Sequence, residues 1–127
     1  MRRLSLTLLL LFVAVSSQAA HPAEGRWTGA IELAAGPLEV IVNLELRNNH
    51  WRGSLDFPSQ EATDLPLQRI DFTASGRATF EVAHIPGGAR FNGTLDGDTI
   101  TGTYGQQGER FAFTLKRARV EETKAKE

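Results

Sequence analysis

The 127-residue chain carries 14 Lys and Arg against 15 Asp and Glu, a net charge of −1, and no cysteine. Without a thiol it can form neither a disulfide nor a thiolate metal site. A charge so near zero lacks the basic surplus that nucleic acid or a polybasic membrane contact requires.

The chain opens with MRRLSLTLLLLFVAVSSQAA, in which Arg2 and Arg3 precede an apolar run from Leu4 to Val15. That run is short for a bilayer span and has the layout of a secretory signal peptide over residues 1–20, cleaved after Ala19 or Ala20. The expectation is an exported protein, periplasmic or secreted, with no membrane span once the leader is gone. Loss of the two arginines takes the charge to about −3. What remains fits a single domain over residues 21–117.

From Arg26 onward the hydrophobic period is two, and no window has the spacing of an amphipathic helix. Trp27, Gly29, Ile31 and Leu33 share one face of a first strand, which Ala34-Ala35-Gly36-Pro37 ends. In LEVIVNLELR, Leu38, Val40, Val42, Leu44 and Leu46 alternate with polar residues, and only Ile41 interrupts the polar face. Asn48-Asn49-His50 supplies a turn, since Asn tolerates the left-handed backbone region. Trp51, Gly53, Leu55 and Phe57 repeat the alternation in a third strand.

Pro58 to Pro66 shows no clear pattern and reads as a longer connection. Beyond it, Leu67–Phe72, Ala78–Ile85, Ala89–Leu95, Thr99–Tyr104 and Arg110–Leu115 read as five further strands, separated by TASGR, PGG, DGD and GQQGE. Charge without apolar content begins at Lys116, so 118–127 reads as a disordered tail. Eight short strands joined by tight turns predict an all-β fold: an antiparallel up-and-down meander closing into a small lipocalin-like barrel. A sandwich would need a long crossover, for which 58–66 is the only candidate.

Four segments share an aromatic or large apolar residue, a glycine two positions on, and another apolar residue two further: WTGAI, WRGSL, FNGTL and ITGTY. Gly29, Gly53, Gly93 and Gly102 therefore point with the large side chains. There they let strands bend and approach, or else open a cavity. Trp27, Trp51, Phe57, Phe72, Phe80, Phe91, Tyr104, Phe111 and Phe113 supply the inward filling. An eight-stranded barrel is just wide enough to be filled in this way. If a ligand does enter, Trp27, Trp51, Phe57, Phe91 and Tyr104 are the residues that would line it. The inverse arrangement, with the apolar face in lipid, calls for longer strands and aromatic girdles than this sequence offers.

The residues for catalysis are missing from the pattern. His21, His50 and His84 share no ligand spacing, Asp96-Gly97-Asp98 lacks the distal ligands of a calcium loop and reads as a turn, and Ser54, Ser59 and Ser75 lie outside any nucleophile elbow. No catalytic residue, metal ligand or cofactor is assigned.

Taken together, GRWTGAIEL, VIVNLEL with WRGSLDFPSQEATDLPL, and FNGTLDGDTITGTYGQQGERFAFTLKR resemble the small β-domain that precedes the catalytic domain in many exported bacterial α/β-hydrolases of the esterase and serine-peptidase-like group. The resemblance runs from about Gly25 to Arg117. It implies a non-catalytic accessory role toward a hydrolase or another protein partner, by shielding an active site, contacting substrate or mediating assembly. The family's catalytic residues belong to the following domain, and none carries over to this chain. The resemblance and the loop position together single out Ser59, Gln60, Glu61, Asp64 and Leu65 as a partner contact. The alternative is a lipocalin-like carrier of a small apolar ligand.

Overall fold

The computed structural model describes residues 21–118, so the leader expected over residues 1–20 and residues 119–127 of the expected tail lie outside the described residues. Eight antiparallel strands follow one another around a closed barrel: β1 (Gly25–Leu33), β2 (Gly36–Arg47), β3 (His50–Phe57), β4 (Ala62–Phe72), β5 (Arg77–Val82), β6 (Ala89–Asp96), β7 (Thr99–Gln106) and β8 (Glu109–Arg117). Each strand pairs with its sequence neighbours, and β1 closes the ring on β8 from Trp27↔Arg117 to Ile31↔Phe113. Two main-chain bonds lengthen this end of the ring: Arg117 N–H donates to the Asp98 carbonyl and Ala118 N–H to that of Arg26, both at 2.8 Å. Such closure leaves no strand edge to pair with another chain.

The apolar parity of the strands is the inner one. Trp27, Ile31, Val40, Val42, Leu55, Phe80, Phe91, Ile100 and Leu115 are fully buried, and all nine sequence-predicted inward aromatics belong to the core or pack against it. Ile41 is the exception anticipated in the sequence. It lies on the outer parity of β2 yet is only 8% exposed, and the 3₁₀ turn at Pro58–Gln60 packs against that strand.

The turns follow from their residues. Asn48 and Asn49 take φ of 49° and 63°, the pair of left-handed residues that a two-residue hairpin needs, and Gln107-Gly108 does the same between β7 and β8. The inward glycines serve close approach. A Cβ at Gly29 would collide with the Thr114 carbonyl across the barrel seam, and Gly93 and Gly102 pair directly, so that a Cβ on either would enter the other strand's backbone.

The connection between β3 and β4 is shorter than its sequence implies. After Phe57 the chain makes the single 3₁₀ turn, Glu61 takes a left-handed φ of 53°, and β4 begins at Ala62 rather than Leu67. Two register shifts, between Leu55 and Phe57 and between Gln68 and Asp71, account for the hidden pattern. Each bulge adds a residue, so the half-buried positions Leu65, Leu67, Ile70 and Phe72 are no longer evenly spaced. At its other end β5 stops at Val82, three residues before the boundary expected from sequence, and His84 turns the chain with φ of 63°.

One mouth of the barrel is closed by the segment ahead of β1. Ala23 is fully buried, and Glu24 accepts the Leu46 N–H at 2.8 Å. The Trp27 indole N–H donates to the Ala23 carbonyl at 3.0 Å. The Arg117 guanidinium lies 4.5 Å over the Trp27 ring and donates to the carbonyls of Pro22 and Glu24 and to the Asp98 carboxylate. Strand β8 thereby holds the first residues across the barrel end.

Candidate functional site

The five aromatic residues expected to line a ligand site all belong to the core or pack against it, but their rings do not form one group. Phe91 occupies the middle, with Phe80 stacked on it at a ring separation of 4.8 Å, Tyr104 tilted at 4.9 Å and Phe113 edge-on at 5.0 Å. Trp27 is held beneath Arg117. Trp51 is half-buried in a separate aromatic group, 4.9 Å from both His21 and Phe72. Phe57 belongs to the far end of β3, next to the 3₁₀ turn. Only Phe91 and Tyr104 of the five touch as rings. Offset and edge-on aromatic contacts at these distances are the stable arrangement of a packed interior.

Tyr104 lies beside Phe91 in this ring cluster. Burial holds its hydroxyl above the ordinary value of 10.0, and the neutral O–H donates to the Gln106 side-chain carbonyl at 2.7 Å. No buried side-chain nitrogen or oxygen among the described residues lacks a hydrogen-bond partner. Polar groups inside are therefore satisfied, not held ready for a ligand.

The proposed contact loop divides into two parts. Ser59 and Gln60 form the exposed 3₁₀ turn and Glu61 is its exposed left-handed cap. Asp64 and Leu65 belong to β4: Asp64 sits at the first bulge with φ of 54° and its N–H donates to the Asp56 carboxylate at 2.7 Å, while Leu65 packs against the core. Of the five, Leu65 is turned away from a partner by its own packing.

Hollows lie on the outer surface. One, of about 780 Å³, runs over β5–β8 and is open to solvent. The rungs of its floor follow from the register. Thr79, Asn92 and Thr103 form one row across β5, β6 and β7, and Glu81, Arg90, Gly105 and Arg110 form the next, continuing onto β8. Glu81 is shared between Arg69 at 3.8 Å, Arg90 at 3.9 Å and the Gln68 amide at 3.4 Å. A second hollow shares Arg77, Asn92 and Thr103 with the first and extends it over Ser75, Thr94 and Thr101.

Sequence reasoning did not single out this surface, because outward Arg, Glu, Asn and Thr are what alternation places on any solvated sheet. One signal was available. Gly105 lies three positions after the inward Gly102, on the opposite parity from the other strand glycines.

Among the described residues no three His, Asp or Glu side chains converge as a metal would require. His50 and His84 are exposed, and His21 packs edge-on against Trp51. A close pair of hydroxyls, Thr73 and Ser75 at 2.9 Å, ties the β4–β5 turn together. No family model, curated protein or solved structure matches the chain.

Proposed function

We propose that this chain is an exported, non-catalytic accessory β-barrel that works through its outer surface on another protein. An α/β-hydrolase of the esterase or serine-peptidase-like group is the partner class implied by the sequence resemblance. The observation that carries this reading is the aromatic interior: Phe91 is in ring contact with Phe80, Tyr104 and Phe113, so the space where a small barrel would hold substrate or ligand is taken up by its own side chains. Recognition is left to the surface and its turns, of which Ser59, Gln60 and Glu61 are the exposed, family-like part. A carrier of small apolar ligands would instead need a hollow lined by these rings.

Mixing the purified protein with an exported hydrolase encoded beside it tests the proposal. The expected result is a complex on size-exclusion chromatography, weakened when Ser59, Gln60 and Glu61 are replaced together by alanine. Absence of a complex with unchanged hydrolase activity would contradict it. Uptake of a fatty acid by the barrel alone, read from Trp27 and Trp51 fluorescence, would favour the carrier.

A further inference from the structure

We infer that the outer groove over β5–β8 binds an acidic saccharide, with Arg90 and Arg110 gripping its carboxylate over the bare backbone of Gly105. This site is independent of the protein-partner reading and of the contact turn.

The argument begins with the glycine. Of the chain's twelve glycines, eleven have a structural reason: a positive φ, or a Cβ that would strike neighbouring backbone. Gly105 has neither. Its φ lies outside the left-handed region, and the nearest atom to an added Cβ is the Glu109 carbonyl oxygen at 3.8 Å, an ordinary contact. A β-branched side chain would fit there and suit a strand better. What the glycine supplies is an uncovered patch of main chain on the groove floor, the usual device for close approach of a ligand.

That patch lies between two arginine positions that also line the groove. Gly105 pairs with Arg90 on one side and Arg110 on the other, which sets the two arginine backbones about 10 Å apart. Among the described residues Arg110 has no carboxylate within 4.0 Å, and Arg90 has only the Glu81 oxygen at 3.9 Å, on a carboxylate that also faces Arg69. Both planar forks are available for a carboxylate, which they match in shape and charge.

The rest of the lining chooses the kind of molecule. Asp71, Glu81 and Glu109 balance the three groove arginines, and Asn92, Gln107 and Thr103 add donors and acceptors. Three carboxylates would repel a ligand with a charge at every step, such as a nucleic acid or a polyglutamate, and they accept hydrogen bonds well from hydroxyls. With no aromatic or large aliphatic side chain in the lining, the groove lacks the pockets that anchor a peptide. A sugar chain carrying spaced carboxylates satisfies both demands. The volume of about 780 Å³ falls within the range of small-molecule sites, and the adjoining hollow over Thr94 and Thr101 gives a longer chain room to continue.

The test is calorimetric titration of the full-length mature protein with two tetrasaccharides in which glucuronate or galacturonate alternates with a neutral sugar, a neutral galactose tetrasaccharide and pentaglutamate. The expected result is binding of at least one uronate, at least tenfold weaker for Arg110→Ala, and lost for Gly105→Thr at unchanged melting temperature. Should Gly105→Thr fail to fold, Gly105→Ala and the Arg90→Ala/Arg110→Ala double variant carry the same expectation. No uronate binding to the unaltered protein would overturn the inference. So would equal binding of the neutral sugar or of pentaglutamate, or uronate binding undiminished in the folded variants.

Discussion

The wall made by β6, β7 and β8 and the single strand β4 solve the same packing problem in opposite ways. The wall keeps unbroken register from Ala89↔Gln106 to Asp96↔Thr99 and from Thr99↔Lys116 to Gln106↔Glu109, and it buries Phe91, Ile100, Tyr104, Phe113 and Leu115. Strand β4 breaks register twice, holds Asp64 and Arg69 at φ of 54° and 52°, and buries none of its residues completely. The wall gains closeness by giving up side chains at Gly93 and Gly102, whereas β4 gains curvature by accepting strained backbone at residues that have side chains. A small barrel needs both: a tightly packed side that fixes the core, and a bulged strand that turns the sheet back on itself.

The sharpest way to break this contrast is to put a side chain into the wall. Gly102→Val places a Cβ against the Asn92 carbonyl and the Gly93 backbone, which cannot move aside as a flexible side chain could. It should cost more than about 3 kcal/mol, the upper end of overpacking, and urea denaturation should find a largely unfolded variant. The same valine tolerated with an unchanged midpoint would mean that the strands are not in contact there.

A smaller loss is expected from Arg117→Ala, which removes the cation over Trp27 and the donors to Pro22 and Glu24. The expected destabilisation is about 1–3 kcal/mol. Limited proteolysis should then cut ahead of Gly25, and Trp27 emission should shift to the red. An unaltered cleavage pattern would separate the segment at 21–24 from Arg117.

The wall also has a pH signature. Burial raises the Tyr104 hydroxyl above 10.0, so the folded form keeps its proton where the unfolded chain has lost it. Its contribution is fully present below pH 10 and falls as pH rises through the folded-state value. Tyr104 is the only tyrosine, so phenolate absorbance in the native protein should appear only above the pH at which the urea-unfolded chain titrates.

In β4 the expected effect is the smallest. Arg69→Gly relieves a left-handed residue but adds freedom to the unfolded chain, so the two contributions nearly cancel, within about 1 kcal/mol. A loss as large as that of Gly102→Val would show that β4 is packed as tightly as the wall.

The same contrast explains what could be read from the residues. In the wall Phe91, Gly93 and Leu95 face Ile100, Gly102 and Tyr104 at strict alternation, and both the strands and their inward glycines were legible. In β4 the two extra residues shift the phase, so Ala62 to Pro66, with Asp64 and Leu65 among them, reads as loop in the sequence. The plug at His21–Glu24 left no periodic trace because four residues carry no period. Ala23 is buried by the barrel end around it and not by any pattern of its own. The outer groove was hidden for another reason: its charges have the composition of any wet face, and only Gly105, out of phase with its neighbours, distinguishes it.

The account turns on whether the barrel's middle is solid, and xenon uptake followed by NMR addresses that most directly. In the unaltered protein no saturable shifts should occur at Phe80, Phe91, Tyr104 or Phe113, while Phe91→Ala, about 3–5 kcal/mol less stable, should acquire a dry cavity and bind xenon. Saturable xenon binding among those four rings in the unaltered protein would contradict it.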